Sequence, residues 1–515
     1  MINSLDLLAK YINKKLAFLP KENKRVCLVT TLFLILSLIV PSNKIFFVTS
    51  SLYIGTLFLV TRSAAKTYLY SFFVLHIFSI GQIYAYQVIP PEKLQLNSLY
   101  PEGRSLFFIF TPLLAVTMAA SFSLFGEIFR TTKIHAIALI PSSIYGYLIF
   151  FLLSLISSSK SDILPSLSML YVLTDIFLLG WTILTILLLS RLPKPKKNVV
   201  IATILILLVL VLLFETGVIL LQFLRRDLVG LHIEGRKDVP YFGLGADENP
   251  LQFRPMGFSM HPNILTIRVI GEFFSIALLL SYIYENMKHK TLIVLGTVGL
   301  FVSALILVFT QTRSAYTGLT LAIGFIALRH YGIIKKWVIE AMNRLSSVKV
   351  LIIPLVVIST VIVSDRLLYA SLIFTETGGI STRMQLAEEA IVLINKYFIW
   401  GVGKGMFIPA AFNQHYLEQY SESIITYFPE AVHNGFLLIL SENGILAGIG
   451  YVFLIVLLLR DILKAHVSQL TRSIVFGSLM SFFTLMLLQP YILLLPLSVI
   501  IFFILSASTY GNKTA

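Results

Sequence analysis

Apolar runs long enough to cross a bilayer follow one another along almost the whole chain, and no other feature restricts its fold as much. A spanning helix needs roughly 17–25 apolar residues, because the hydrocarbon core is about 30 Å thick and a helix rises about 1.5 Å per residue. Runs of that kind occupy 26–42, 44–61, 67–90, 105–125, 134–158, 163–190, 198–224, 263–285, 291–311, 315–329, 350–368, 434–459, 473–489 and 491–509. In lipid every backbone N–H and C=O must be paired inside the segment, so such runs fold as helices. The reading is an all-α polytopic membrane protein with about 14 transmembrane helices. Composition agrees: 57% of the residues are hydrophobic, 13% are charged and the mean hydropathy is +0.87. A soluble domain carries about 25% charged residues.

The net charge of +15 is distributed as membrane topology requires and argues against nucleic acid as a partner. Basic residues gather at Lys21 to Arg25, Arg62 to Lys66, Arg130 to Lys133, Arg191 to Lys197, Lys288 to Lys290, Arg329 to Lys349 and Arg460 to Arg472. Alternating spans put all of these on one side, which the positive-inside rule makes cytoplasmic. Both termini are then cytoplasmic, and no cleavable signal peptide precedes the first span. The opposite face receives 91–104, 225–262, the turn Thr312-Arg313-Ser314 and 365–433. Leu5, Leu8, Ile12, Leu16 and Leu19 recur at helical spacing beside Lys10, Lys14 and Lys15. That is the pattern of an amphipathic helix lying on the cytoplasmic surface, with a plain tail as the alternative. The chain thus divides into a cytoplasmic N-terminal segment 1–25, transmembrane helices over 26–364 with an extracytoplasmic loop 225–262, a large extracytoplasmic loop 365–433, and C-terminal transmembrane helices over 434–515. The single cysteine, Cys27, excludes an intrachain disulfide.

Loop 365–433 is far longer than a turn between spans, and loops beyond about 12–15 residues are usually functional or disordered. Its residues favour a folded segment. Thr382 and Gln385 have capping-box spacing, and Met384, Ala387, Ile391, Ile394 and Phe398 follow at helical intervals. The spacing predicts an amphipathic helix over 383–398 with Arg383 in its first turn. A cation there opposes the helix dipole and is better accommodated beside an anion.

Several polar residues share the extracytoplasmic face. Arg313 directly follows a span in Thr310-Gln311-Thr312-Arg313-Ser314. An arginine at a span end commonly snorkels to the head groups; flanked by small polar residues it is also a functional candidate. Guanidinium groups fork phosphate oxygens, and Arg254 and Arg383 face the same compartment. Surface ion pairs with Glu248 or Glu376 are their ordinary alternative. His433, beside Asn434 at the start of a span, is either a structural donor or a general base, since its unperturbed pKa is about 6.5. His261, in Met260-His261-Pro262-Asn263, fits a helix entry better than chemistry. Gly401-Val402-Gly403-Lys404-Gly405 lacks the Lys-Ser/Thr ending of a phosphate loop and reads as a tight turn. No spacing of His, Cys, Asp and Glu reads as a metal site.

Between Arg254 and Gly450 these stretches together resemble the O-antigen ligase family, whose superfamily includes surface-polysaccharide polymerases. The likeness lies in Arg254-Pro255-Met256-Gly257 with His261-Pro262-Asn263, in Thr312-Arg313-Ser314, in Ser381-Thr382-Arg383, in Trp400-Gly401-Val402-Gly403-Lys404-Gly405-Met406-Phe407, and in His433-Asn434 followed by Gly444. One position departs from the ligase pattern: Ala447 stands where Gly, Thr or Tyr is usual. Residues 1–200 resemble only generic spans.

The resemblance implies a glycosyltransferase of the class C type in the bacterial cytoplasmic (inner) membrane, with a large periplasmic loop over its active site. It implies an undecaprenyl-diphosphate-linked glycan as donor, lipid A–core or a glycan chain as acceptor, and a reaction without metal or other cofactor. Carried over by motif, Arg313 and Arg383 hold the donor diphosphate and His433 takes the acceptor proton, with Arg254, His261 and Asn434 lining the site. Ligase, polymerase and protein glycosylation stay open at this level. A transporter or flippase for lipid-linked sugars is the competing class; it calls for internal repeats, broken helices and charges near the middle of the membrane. No repeat is apparent, and Asp175, Glu215 and Glu272 are scattered along the chain.

Overall fold

A computed structural model of the chain describes residues 19–78, 84–87, 107–130, 140–234, 254–259, 262–310, 312–344, 378–411, 431–489 and 495–510. The elements are α1 (Lys21–Leu38), α2 (Asn43–Thr61), α3 (Ala64–Leu75), β1 (Tyr84–Gln87), β2 (Phe107–Phe110), α4 (Pro112–Arg130), α5 (Ser142–Ser159), α6 (Pro165–Arg191), α7 (Lys194–Arg225), α8 (Pro262–Asn286), α9 (Lys290–Thr310), α10 (Arg313–Arg344), α11 (Gly378–Lys396), α12 (Gly435–Lys464), α13 (Gln469–Leu488) and α14 (Leu497–Tyr510). Among the described residues eight helices are long and apolar enough to cross a membrane: α2, α5, α6, α7, α8, α9, α12 and α13. The chain is a polytopic helical membrane protein.

The remaining predicted spans differ for physical reasons. α1 spends its first turns on Lys21, Glu22, Lys24 and Arg25. The apolar stretches of α4 and α14 are short, Pro112–Gly126 and Leu497–Ser506. The run 315–329 is the first half of α10, which bends at His330 (φ −129°, ψ 31°) and continues to Arg344. The run 350–368 lies outside the described residues.

The predicted span 67–90 is corrected. α3 is 12 residues long and stops at Leu75, with His76 as its C-cap. β1 then pairs antiparallel with β2, Tyr84 opposite Phe110, so the predicted span 105–125 begins as a strand and turns helical at Pro112. The all-α expectation gains one small ladder, built from aromatic and branched residues that favour pleated backbone.

Hydroxyl and amide contacts tie the helices, as packing inside lipid requires. The Thr30 and Tyr53 hydroxyls lie 3.0 Å apart, and Asn23 Nδ2 donates to Thr203 Oγ1 at 2.8 Å. At one end of the bundle Asp461 of α12 caps the start of α5, accepting from Ser142 Oγ at 2.5 Å and Ser143 N at 2.6 Å. The other end joins the start of α8, the α9–α10 turn and the end of α13: Asn263 Nδ2 donates to Gln489 Oε1 at 3.2 Å, and Gln489 Nε2 to Ser314 Oγ at 3.1 Å. Neighbouring helices therefore alternate in direction, and Arg254 and the start of α10 lie at this second end.

Candidate functional site

α11 begins five residues before Arg383. Thr382 is thus inside the helix rather than its cap, and Arg383 sits in the second turn, not the first. The buried face is Leu386, Ala390 and Leu393, whereas Met384, Ile391 and Phe398 are 60%, 49% and 54% exposed. Both sets are apolar and helically spaced; the buried one shares a core with Val402, Val432 and Leu438. That core joins α11, the glycine turn and the residues around His433.

Gly444 interrupts α12 with φ 72° and ψ 178°, a backbone conformation that side chains other than glycine seldom adopt. A Cβ there would also collide with the Ile399 carbonyl. The break frees backbone groups, and the glycine turn takes them: Val402 N donates to Ser441 O at 2.9 Å, Gly403 N to Glu442 O at 2.7 Å, and Ile445 N to Phe398 O at 2.9 Å. The turn's own carbonyls are held from the α5–α6 hairpin. Ser157 Oγ donates to Trp400 O and Ser161 Oγ to Val402 O, while Ser168 Oγ reaches Lys404 O at 3.0 Å. Lys404 is ion-paired with Asp175, which ties the turn to α6. Sequence reading missed the serine cradle; the serines at 157, 158, 159 and 161 closing an apolar run were its only signal.

This scaffold sets His433 immediately before α12, after the buried Val432. Asn434 is the N-cap: its Oδ1 accepts from Phe436 N at 3.0 Å and Leu437 N at 3.1 Å. Burial, with the charge of Arg383 second, pushes the His433 imidazole down to about 4. Arg383 itself is exposed. The structure therefore brings these two residues into electrostatic contact and leaves His433 neutral at neutral pH.

The second group lies at the α9–α10 turn. Arg254 Nε donates to Thr310 O at 2.8 Å, and its Nη2 to Thr312 Oγ1 at 2.7 Å and Asn263 Oδ1 at 3.2 Å. Arg313 is the first residue of α10, adjoining Thr312 in this network. His261 lies outside the described residues. α13 links the two groups: its Gln489 holds Ser314, and its Phe483 stacks with Phe436 in the first turn of α12 at 6.5 Å between centroids. Among the described residues no three His, Cys, Asp or Glu side chains group as metal ligands.

Compared with known proteins, residues 298–452 match the family model described as O-antigen ligase. The match begins within α9 and ends within α12, so it takes in Arg313, Arg383, His433 and the break at Gly444. No curated protein and no solved structure matches the chain.

Proposed function

We infer that this chain, a member of the O-antigen ligase superfamily, is a membrane glycosyltransferase that moves a glycan from undecaprenyl diphosphate to an acceptor hydroxyl. The acceptor is lipid A–core for a ligase or a lipid-linked glycan for a polymerase. Catalysis takes place on the periplasmic face of the bacterial inner membrane, under loop 365–433, within a bundle of about 14 spans. The observation that supports this reading is that burial, together with the charge of Arg383, pushes the His433 imidazole down to about 4, within a stretch that the family match spans.

In the proposed reaction His433 takes the proton of the acceptor hydroxyl as its oxygen attacks the anomeric carbon. The new glycosidic C–O bond forms as the bond to the diphosphate oxygen breaks, and undecaprenyl diphosphate leaves with the electron pair. Arg313 and Arg383 stabilise the charge that gathers on the diphosphate, a contribution commonly worth several kcal/mol. A single displacement of this kind inverts the anomeric configuration.

Transport of lipid-linked sugar is the alternative. It is favoured by the break in α12 at Gly444, the bend in α10 at His330 and the ion cluster within α7 and α8, where Arg268 meets both Glu215 and Glu272. The two glutamates, far apart in sequence, are gathered rather than scattered.

Purified protein supplied with polyprenyl-diphosphate glycan, each acceptor and excess chelator separates the readings. Transfer that survives chelator and falls about 10²–10⁴-fold in His433→Ala supports the base. Arg313→Ala and Arg383→Ala are expected to be comparably impaired. Normal transfer by these variants removes the assigned site; translocation without transfer by the folded wild type moves the transporter ahead.

A further inference from the structure

Four titratable side chains meet inside the bundle away from Arg383 and His433. Arg268 of α8 donates through Nη2 to Glu215 of α7 at 2.5 Å and through Nη1 to Glu272 at 2.8 Å. His76, at the end of α3, lies 2.8 Å from the same Glu272 oxygen. Both glutamates are fully buried, and among the described residues Glu215 Oε2, Glu272 Oε2 and Arg268 Nε have no hydrogen-bond partner. Desolvating such charges costs several kcal/mol per ion, and their mutual attraction often fails to offset it. Ionisable groups within spans are accordingly functional by default.

The other contact of Glu215 indicates what the cluster holds. Its Oε1 accepts from Phe258 N at 3.2 Å. Gly257 has φ +56°, and a Cβ on it would stand 2.5 Å from that oxygen. Two turns along α7, Gln222 Oε1 accepts from Met256 N at 3.1 Å and Gly257 N at 3.0 Å, and its Nε2 donates to Gly257 O at 3.2 Å. Two side chains on one face of α7 thus fasten four backbone groups of three consecutive residues, Met256 to Phe258. Arg254 stands two residues before this turn, with its guanidinium on Thr310 and Thr312.

We propose that Glu215 is a positioning residue for the lipid-linked diphosphate: braced by Arg268, it fixes the 256–258 backbone and, through Arg254, the α9–α10 turn from which Arg313 starts. The role rests on the reading of Arg313 as a diphosphate ligand. Charge explains why a carboxylate is used here. A neutral acceptor could also bond Phe258 N, but its bond to the Arg268 guanidinium would lack the charge assistance that holds the Glu215 carboxylate in place.

The test measures binding of undecaprenyl diphosphate and the donor and acceptor KM values for wild type, Glu215→Ala, Gln222→Met and Arg254→Met. Gln222→Met leaves the ion cluster whole and keeps the test alive if Glu215→Ala does not fold. Each variant is expected to weaken donor binding and raise donor KM on the order of tenfold, short of the roughly 100-fold that a 1 Å misplacement of reacting groups can cost. Acceptor KM stays unchanged. Gln222→Met combined with Arg254→Met is expected to be no worse than the weaker single variant, because both act along one path. Unchanged donor KM in the folded variants, an equal rise in acceptor KM, or additive effects overturn the proposal while the transferase reading stands. A wild type that neither binds undecaprenyl diphosphate nor transfers from it overturns both.

Discussion

At the scale of single residues, the informative quantity is the proton affinity of His433. An imidazole pushed down to about 4 is neutral throughout the neutral range and is a weak base on its own, whereas efficient general bases sit near the working pH. In the proposed reaction the donor supplies the correction: a diphosphate on Arg383 would offset the charge that depresses His433 and so raise its affinity for the acceptor's proton. The sign follows directly: the base form exists above the pKa, and activity is lost as pH falls through it. The acid limb of kcat/KM, which reports the free enzyme, is expected near 4, and the acid limb of kcat, set in the donor complex, at higher pH. In Arg383→Met the kcat/KM limb moves up but stays below an ordinary histidine, because burial, the larger cause, remains. Coincident limbs in kcat and kcat/KM remove this donor-assisted base.

At the scale of elements, the site depends on a helix that is broken and a turn that fills the break. Ser441 O and Glu442 O would bond inside a continuous α12; at Gly444 they accept from Val402 and Gly403 instead. Gly444→Ala places a side chain at φ 72° against the Ile399 carbonyl. Backbone strain of that kind is worth about 1–3 kcal/mol. The variant is expected to unfold at lower temperature and to lose transfer, because the turn shares its core with Val432 beside His433; a wild-type melting curve together with wild-type activity refutes this. The tight turn at Gly401 to Gly405 was legible and Gly444 stood in the family-like stretch, but the helix break that joins them was not, since one glycine in an apolar helix is only a weak signal. The apolar runs were legible as helices wherever nothing polar stopped them. α3 was misread because its apolar run continues past Leu75, whereas the fold ends the helix where His76 meets Glu272, 196 residues away. On α11 two helically spaced apolar faces competed, and only the tertiary contacts of Leu386, Ala390 and Leu393 decide between them.

At the scale of the whole molecule, alternation of the helices was readable from the spacing of basic loops, but the convergence of polar groups across the bundle was not. Arg268 and Glu215 are 53 residues apart, and Asn263 and Gln489 are 226 apart; neither separation leaves a local pattern. Arg313, Arg383 and His433 could be singled out as candidates because they lie in short recognisable stretches, while the polar residues around them are single positions within apolar helices. The same architecture makes the proposed topology testable. Asp461, Ser142 and the start of α13 belong to one end of the bundle, and Arg254, Ser314 and Gln489 to the other. Loop helix α11 packs beside the start of α12, at the second end. On the proposed function that end would face the periplasm, where a lipid-linked glycan is presented, and the positive-inside pattern of the basic loops would put the first end inside. Cys27 is buried, 3% exposed, so wild type is a silent background for thiol labelling. Glu388 on α11 and Gln469 at the start of α13 are both exposed. With a membrane-impermeant maleimide, Glu388→Cys is expected to label from the periplasmic side in spheroplasts, and Gln469→Cys only after the membrane is opened. The reverse pattern turns the protein over and places His433 in the cytoplasm. Equal labelling of both before opening contradicts a bundle whose two ends lie on opposite sides of the bilayer.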